Sequence, residues 1–202
     1  RLVAPREVGR QYGLDHHGDT FLILTNAAGA EDFKVVSAPV ADPSPANWVD
    51  LVPHRAGRLI IRHLCLKGRL IRLEREDGLP RIVIRDLATG GESSIAFEEE
   101  AYGLGIDPGY EFDTGVLRFI YASMARPAET YDYDLATGER RLLKRQEVPS
   151  GHDPAAYRVR RIFATAKDGQ RVPVSILHRT DTPLDGSAPC LLYGYGSYGS
   201  AM

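Results

Sequence analysis

Asp86-Leu87-Ala88-Thr89-Gly90, inside the run 84–91, returns further along the chain as Asp134-Leu135-Ala136-Thr137-Gly138, inside the run 133–140. In each copy a strand-like segment runs into an aspartate that can cap a turn. A glycine able to take positive φ follows, and then a second strand-like segment. This is the chemistry of a tight hairpin. A weaker counterpart, Val40-Ala41-Asp42-Pro43, precedes both. Hairpins recurring every ~40–50 residues predict the blades of a β-propeller, with turns of a β-sandwich as the alternative.

The surrounding sequence supports a mostly β fold. Thr20–Thr25, Phe33–Val36, Leu59–Ile61, Leu70–Leu73, Arg81–Arg85 and Val116–Tyr121 are short runs, mostly β-branched or aromatic, bounded by Gly, Asp, Asn or Pro. No long amphipathic helical period interrupts them. Residues 1–150 are therefore expected to form a partial β-propeller of about three blades. That is fewer than the ~4–8 blades that close a propeller, so strand edges would be exposed and further chain is implied.

The pattern changes at Val148-Pro149-Ser150-Gly151-His152-Asp153-Pro154, a breaker-rich linker. Two strands are predicted beyond it, Tyr157–Ala164 and Arg171–His178, joined through Lys167-Asp168-Gly169-Gln170. Pro173 removes a ladder donor and predicts an edge or an irregularity. After a second loop, Cys190-Leu191-Leu192-Tyr193 is apolar without alternation, which predicts a strand buried on both faces. It leads into Tyr193-Gly194-Tyr195-Gly196-Ser197-Tyr198-Gly199.

Composition narrows the function. The 202 residues are 43% hydrophobic and 26% charged with a net charge of −2, which gives no basic excess to favour nucleic acid. No apolar stretch approaches the ~20 residues of a bilayer-spanning helix. The two cysteines, Cys65 and Cys190, both lie in apolar runs and read as buried free thiols. No serine has glycines two before and two after it, so no nucleophile elbow is present. The six histidines do not cluster at metal-ligand spacing, and His16-His17 read as solvent or turn residues. Glu98-Glu99-Glu100 and Arg140-Arg141 with Lys144-Arg145 read as solvated blade edges. Gly194 to Gly199 matches a dinucleotide-binding spacing but lacks the helix and acidic residue that binding needs. No cofactor or metal is expected.

Several of these segments carry a resemblance. Tyr157-Arg158, Lys167-Asp168-Gly169, Val172-Pro173-Val174-Ser175 and the run 192–199 resemble the opening of the peptidase domain in the prolyl oligopeptidase family, most closely its oligopeptidase B-like branch. Tyr12-Gly13-Leu14-Asp15-His16, Tyr121-Ala122-Ser123-Met124 and 134–140 resemble that branch's propeller. The resemblance implies a cytoplasmic serine peptidase with a propeller capping an α/β-hydrolase domain. Residues 1–150 would be later blades, and 151–202 the first strands of the hydrolase domain. It further implies short peptide substrates cut after Arg or Lys, and Tyr195 as an oxyanion-hole donor. The family's nucleophile, acid and base lie C-terminal to the turn, so none falls in this chain and the isolated chain is expected to be inactive. A non-catalytic propeller module, or a prolyl- or acylaminoacyl-type peptidase of the same family, are the alternatives.

Overall fold

The computed structural model describes residues 2–197. The two hairpin repeats fold alike. Asp86 Oδ1 accepts from the amides of Ala88 and Thr89 at 2.9 and 2.8 Å, and Asp134 Oδ1 from those of Ala136 and Thr137 at 2.8 Å each. Gly90 and Gly138 sit at φ 74° and 77°, where a side chain would be strained. Each turn joins the third strand of a four-stranded antiparallel sheet to the fourth.

There are three such sheets among the described residues. Blade 1 is β1 (Tyr12–His17), β2 (Thr20–Thr25), β3 (Lys34–Pro39) and β4 (Val49–Val52). Blade 2 is β5 (Arg58–Leu66), β6 (Arg69–Glu76), β7 (Leu79–Asp86) and β8 (Glu92–Ser94). Blade 3 is β9 (Gly103–Asp107), β10 (Val116–Ala122), β11 (Glu129–Asp134) and β12 (Arg140–Arg145). The Asp42 counterpart occupies the same third-to-fourth connection, but a 3-10 turn at Pro45–Asn47 lengthens it. No α-helix occurs among the described residues, and none is long and apolar enough to cross a membrane.

The blades pack face to face. Ile71, Leu73, Ile82 and Ile84 of blade 2 meet Leu117, Phe119 and Tyr121 of blade 3 in the largest core cluster. Leu70, Cys65 and Ile60 meet Leu22, Val35 and Val52 of blade 1 in a smaller one. The side chains of β6 alternate between these two neighbours, as the period of a strand requires.

First strands tie one blade to the next. The Cys65 amide donates to Asp15 Oδ2 at 2.8 Å, the Gly68 amide to His17 Nε2 at 2.9 Å, and His63 Nε2 to the Leu22 carbonyl at 3.2 Å. His16 is exposed, whereas His17 is half-buried by that bond. The basic run forms β12, an outer strand whose six residues are all exposed, so charge blunts the edge as expected.

Beyond blade 3, β13 (Tyr157–Thr165) and β14 (Arg171–Arg179) form a separate two-stranded sheet, with Phe163 opposite Pro173. Both strands are edges, which accommodates the proline. The expected strand at Cys190–Tyr193 is absent. Leu191 and Leu192 lie in irregular backbone, 91% and 86% exposed, and Cys190 is exposed too. A doubly buried strand needs a ladder partner on at least one side, and no described strand pairs with this segment.

Candidate functional site

The tail that carries Tyr195 leaves β14 through polar turns. Arg179 pairs with Asp181 at 3.1 Å, and Asp185 caps the Ser187 amide at 3.0 Å. Residues 191–196 then run without regular structure, with Tyr193 and Tyr195 69% and 47% exposed. Neither Gly194 nor Gly196 takes positive φ, and a Cβ on either would meet nothing within 4 Å. Tyr198 and Gly199, the end of the motif, lie outside the described residues.

The remaining candidates do not converge on Tyr195. His54 lies 3.9 Å from Asp32 on the loop before β5, and His178 Nδ1 contacts the Arg179 carbonyl at 2.8 Å. His63 is buried at the seam of blades 1 and 2, and burial holds its imidazole below the ordinary value against the pull of Asp15. Burial and the nearby Asp15 push the Cys65 thiol up to about 12, so it stays protonated at neutral pH and is a poor nucleophile.

The rim that bears the linker and the β13–β14 hairpin is more elaborate than its sequence indicated. In the acidic run, on the connection between β8 and β9, Glu98 and Glu100 are exposed and Glu99 is half-buried. Tyr121 donates its hydroxyl to Glu99, which also pairs with Arg126 at 3.6 Å, while Glu100 accepts from the Arg161 amide of β13 at 2.8 Å. Beside them Glu129, 3% exposed at its side chain, accepts from Tyr131 and Arg145 at 2.6 Å each. Burial would raise the Glu129 carboxyl, but these two donors outweigh it and hold it below the usual range. A cavity of about 540 Å3 opens between this network and the linker, lined by Arg126, Glu129, Arg145, Val148, His152 and Pro154. His152 closes one side, donating from Nε2 to the Ala125 carbonyl at 2.7 Å and stacking on Tyr157 with centroids 5.5 Å apart. On the opposite rim, a cavity of about 610 Å3 lies among Asp15, His16, Leu66 and the loop that carries Tyr110 and Phe112.

Residues 1–146 match the family model for the N-terminal β-propeller domain of prolyl oligopeptidase. The chain belongs to the prolyl oligopeptidase family. Among this family's members, it is 41% identical to dipeptidyl aminopeptidase BI of Pseudoxanthomonas mexicana over the whole chain, which is 28% of that relative. It is 32% identical to protease 2 of Moraxella lacunata over 99% of the chain and 28% of the relative. Oligopeptidase B of Leishmania major superposes with a TM-score of 0.88 at 32% identity, covering 99% of this chain and 29% of that one. The chain therefore spans a little over a quarter of the length of these family members, all peptidases by name.

Proposed function

We propose that this chain is the propeller-side portion of a serine-type oligopeptidase. In this reading residues 1–150 are propeller and 151–202 are the first strands of an α/β-hydrolase peptidase domain. The observation that carries it is one of extent. The propeller model stops at residue 146, yet similarity to whole peptidases continues over 99–100% of the chain. The separate β13–β14 sheet, unlike any blade, supports a boundary near residue 150.

The nucleophile, its acid and its base lie outside this chain. A serine there attacks the scissile carbonyl of a short peptide bound between propeller and hydrolase domain, in a cytoplasmic setting. Tyr195 donates its hydroxyl to the oxyanion that develops. Its exposure and open glycine flanks are what a donor needs if its partner surface comes from elsewhere. A phenol placed so favours the transition state over the ground state and raises kcat.

Cleavage after Arg or Lys is the specificity we propose, from the likeness to oligopeptidase B. A second reading, release of dipeptides from free N-termini, is favoured by the 41% identity to a dipeptidyl aminopeptidase. Fluorogenic Arg-Arg amides with blocked and free amino termini, given to the complete polypeptide, separate the two. Endopeptidase action cleaves the blocked substrate, and dipeptide release requires the free one. Tyr195→Phe should lower kcat by about 100-fold with little change in KM. The 202-residue chain alone should turn over neither substrate, and measurable turnover by it would overturn the proposal.

A further inference from the structure

Each blade ends on an outer strand with a free edge, and the three edges differ. β4 spans Val49–Val52, and its Asp50 is paired with Lys34 at 2.7 Å. β8 is three residues long, and its Glu92 is tied to Arg72 and Arg85. β12 has six residues, all exposed, in the order Arg140-Arg141-Leu142-Leu143-Lys144-Arg145. Among the described residues, no strand pairs with it on the side away from β11. Its charges are not balanced locally. Arg141 shares Asp132 with Arg118, and Arg145 is held by the buried Glu129. Arg140 lies 4.8 Å over the Phe97 ring and donates to the Ala96 carbonyl. Neither Arg140 nor Lys144 has a carboxylate partner among the described residues. Glu139 and Glu147 bracket the strand, so the cationic excess is confined to it. Between the cations, Leu142 and Leu143 are 42% and 40% exposed, and the ladder with β11 steps over Leu143.

We propose that the free edge of β12 docks an extended acidic segment of a partner protein, one that interleaves carboxylates with apolar side chains, as a fifth strand of blade 3. An open edge offers unpaired amides and carbonyls to any strand that reaches it, and here charge selects among strands. Like charges directly opposite destabilise a strand pair, so a second copy of β12 is rejected, whereas a carboxylate opposite Arg141 or Lys144 is attracted. The two leucines add apolar area at the centre, where apolar residues of the guest are buried on docking. Main-chain bonds then supply the affinity and side chains the choice of partner. The edge is also held ready. The Asp134–Gly138 turn fixes one end of β12, the Gln146 amide donates to the Ala128 carbonyl at 2.8 Å at the other, and Glu129 anchors Arg145. Little ordering of the strand therefore remains to oppose binding. The proposal does not rest on the peptidase reading.

Fluorescence anisotropy of a labelled hexapeptide alternating glutamate with valine, titrated with the complete polypeptide, tests this without using activity. The peptide should bind, more weakly as salt is raised. Arg141→Glu combined with Lys144→Glu reverses two exposed charges, neither of which holds a buried group alone, and should weaken binding about tenfold. The same peptide N-methylated at its valines keeps its charge but cannot form a full ladder, and should bind at least as poorly. Hydrogen exchange of the β12 amides should slow when the unmodified peptide is bound, while that of Ile71 in the core of blade 2 stays unchanged. Equal binding by the N-methylated peptide means charge attraction without strand addition and overturns the proposal. So does equal binding by the doubly reversed variant, failure of the complete polypeptide to bind the peptide, or sedimentation that shows copies of the chain joined through this edge. Should the double variant lose the Ile71 protection, Lys144→Gln alone decides the matter, with a loss of affinity of severalfold expected and none overturning the proposal.

Discussion

Towards blade 3, blade 2 presents Ile71, Leu73, Ile82 and Ile84 to Leu117, Phe119 and Tyr121. Towards blade 1, the same two strands present Leu70 together with Arg72, Glu74 and Arg85. The first seam is apolar and carries stacked aromatic rings. Phe97 stacks on Tyr121 at 5.1 Å between centroids, and Phe119 on Tyr131 at 5.3 Å. The second joins a smaller apolar cluster to an ion-pair network that lies wholly within blade 2. Arg72, fully buried, donates to Glu74 at 2.8 Å and to Glu92 at 3.0 Å, and Arg85 joins at Glu92. One sheet therefore carries two faces held by different physics. Burial of apolar area is tolerant of small shifts, whereas buried charges hold one register because misplacing either partner strands the other.

The largest effect should come from emptying the aromatic seam. Phe119→Ala should cost about 3–5 kcal/mol and speed hydrogen exchange of the strands on both sides of it. A cost near that of a surface substitution would mean that the blades do not depend on this seam.

The ionic face of blade 2 should fail differently. Arg72→Met leaves Glu74 buried without its main partner and should cost about 3 kcal/mol, while Arg72→Met combined with Glu74→Leu should recover much of the loss. If the double variant is as unstable as the single one, the charges contribute net stability rather than register.

The smallest effects, of opposite sign in pH, distinguish the seams without mutation. His63 has a folded pKa lowered by burial, so its contribution is present above its ordinary value and is lost as pH falls through the folded one. Burial opposes ionisation of Glu92, but Arg72 and Arg85 prevail and keep its carboxyl below the usual range, which adds a further loss at lower pH. Tyr121 has its phenol raised by burial and by Glu99, so its contribution is present below its ordinary value and is lost as pH rises through the folded one. Hydrogen exchange of β2 and β5 should therefore accelerate first in acid, and that of β10 first in alkali. The same order at both extremes would break the comparison.

Much of this architecture was legible residue by residue. The Asp86 and Asp134 turns announced themselves because their chemistry is local, an aspartate and a glycine a few positions apart. Pro173 announced an edge for the same reason. Charges misled where the run alone was read. Arg72 and Glu74 alternate with apolar neighbours, a pattern that does not say what covers them, and both are buried. Glu99 and Glu100 look like edge charge, yet they hold a tyrosine, an arginine and the amide of another sheet. Leu191-Leu192 misled in the other direction, since an apolar run states only that a partner is wanted.

The sequence by itself determined the blade repeat, the hairpin beyond the linker and the family, because each depends on residues close together in the chain or on a pattern carried by them. Only the tertiary structure decided which charges are buried, which rings stack and where the hairpin rests. Those outcomes depend on what a neighbouring sheet places opposite each side chain. Desolvation, the quantity that separates a solvated charge from a structural one, exists only once that neighbour is in place.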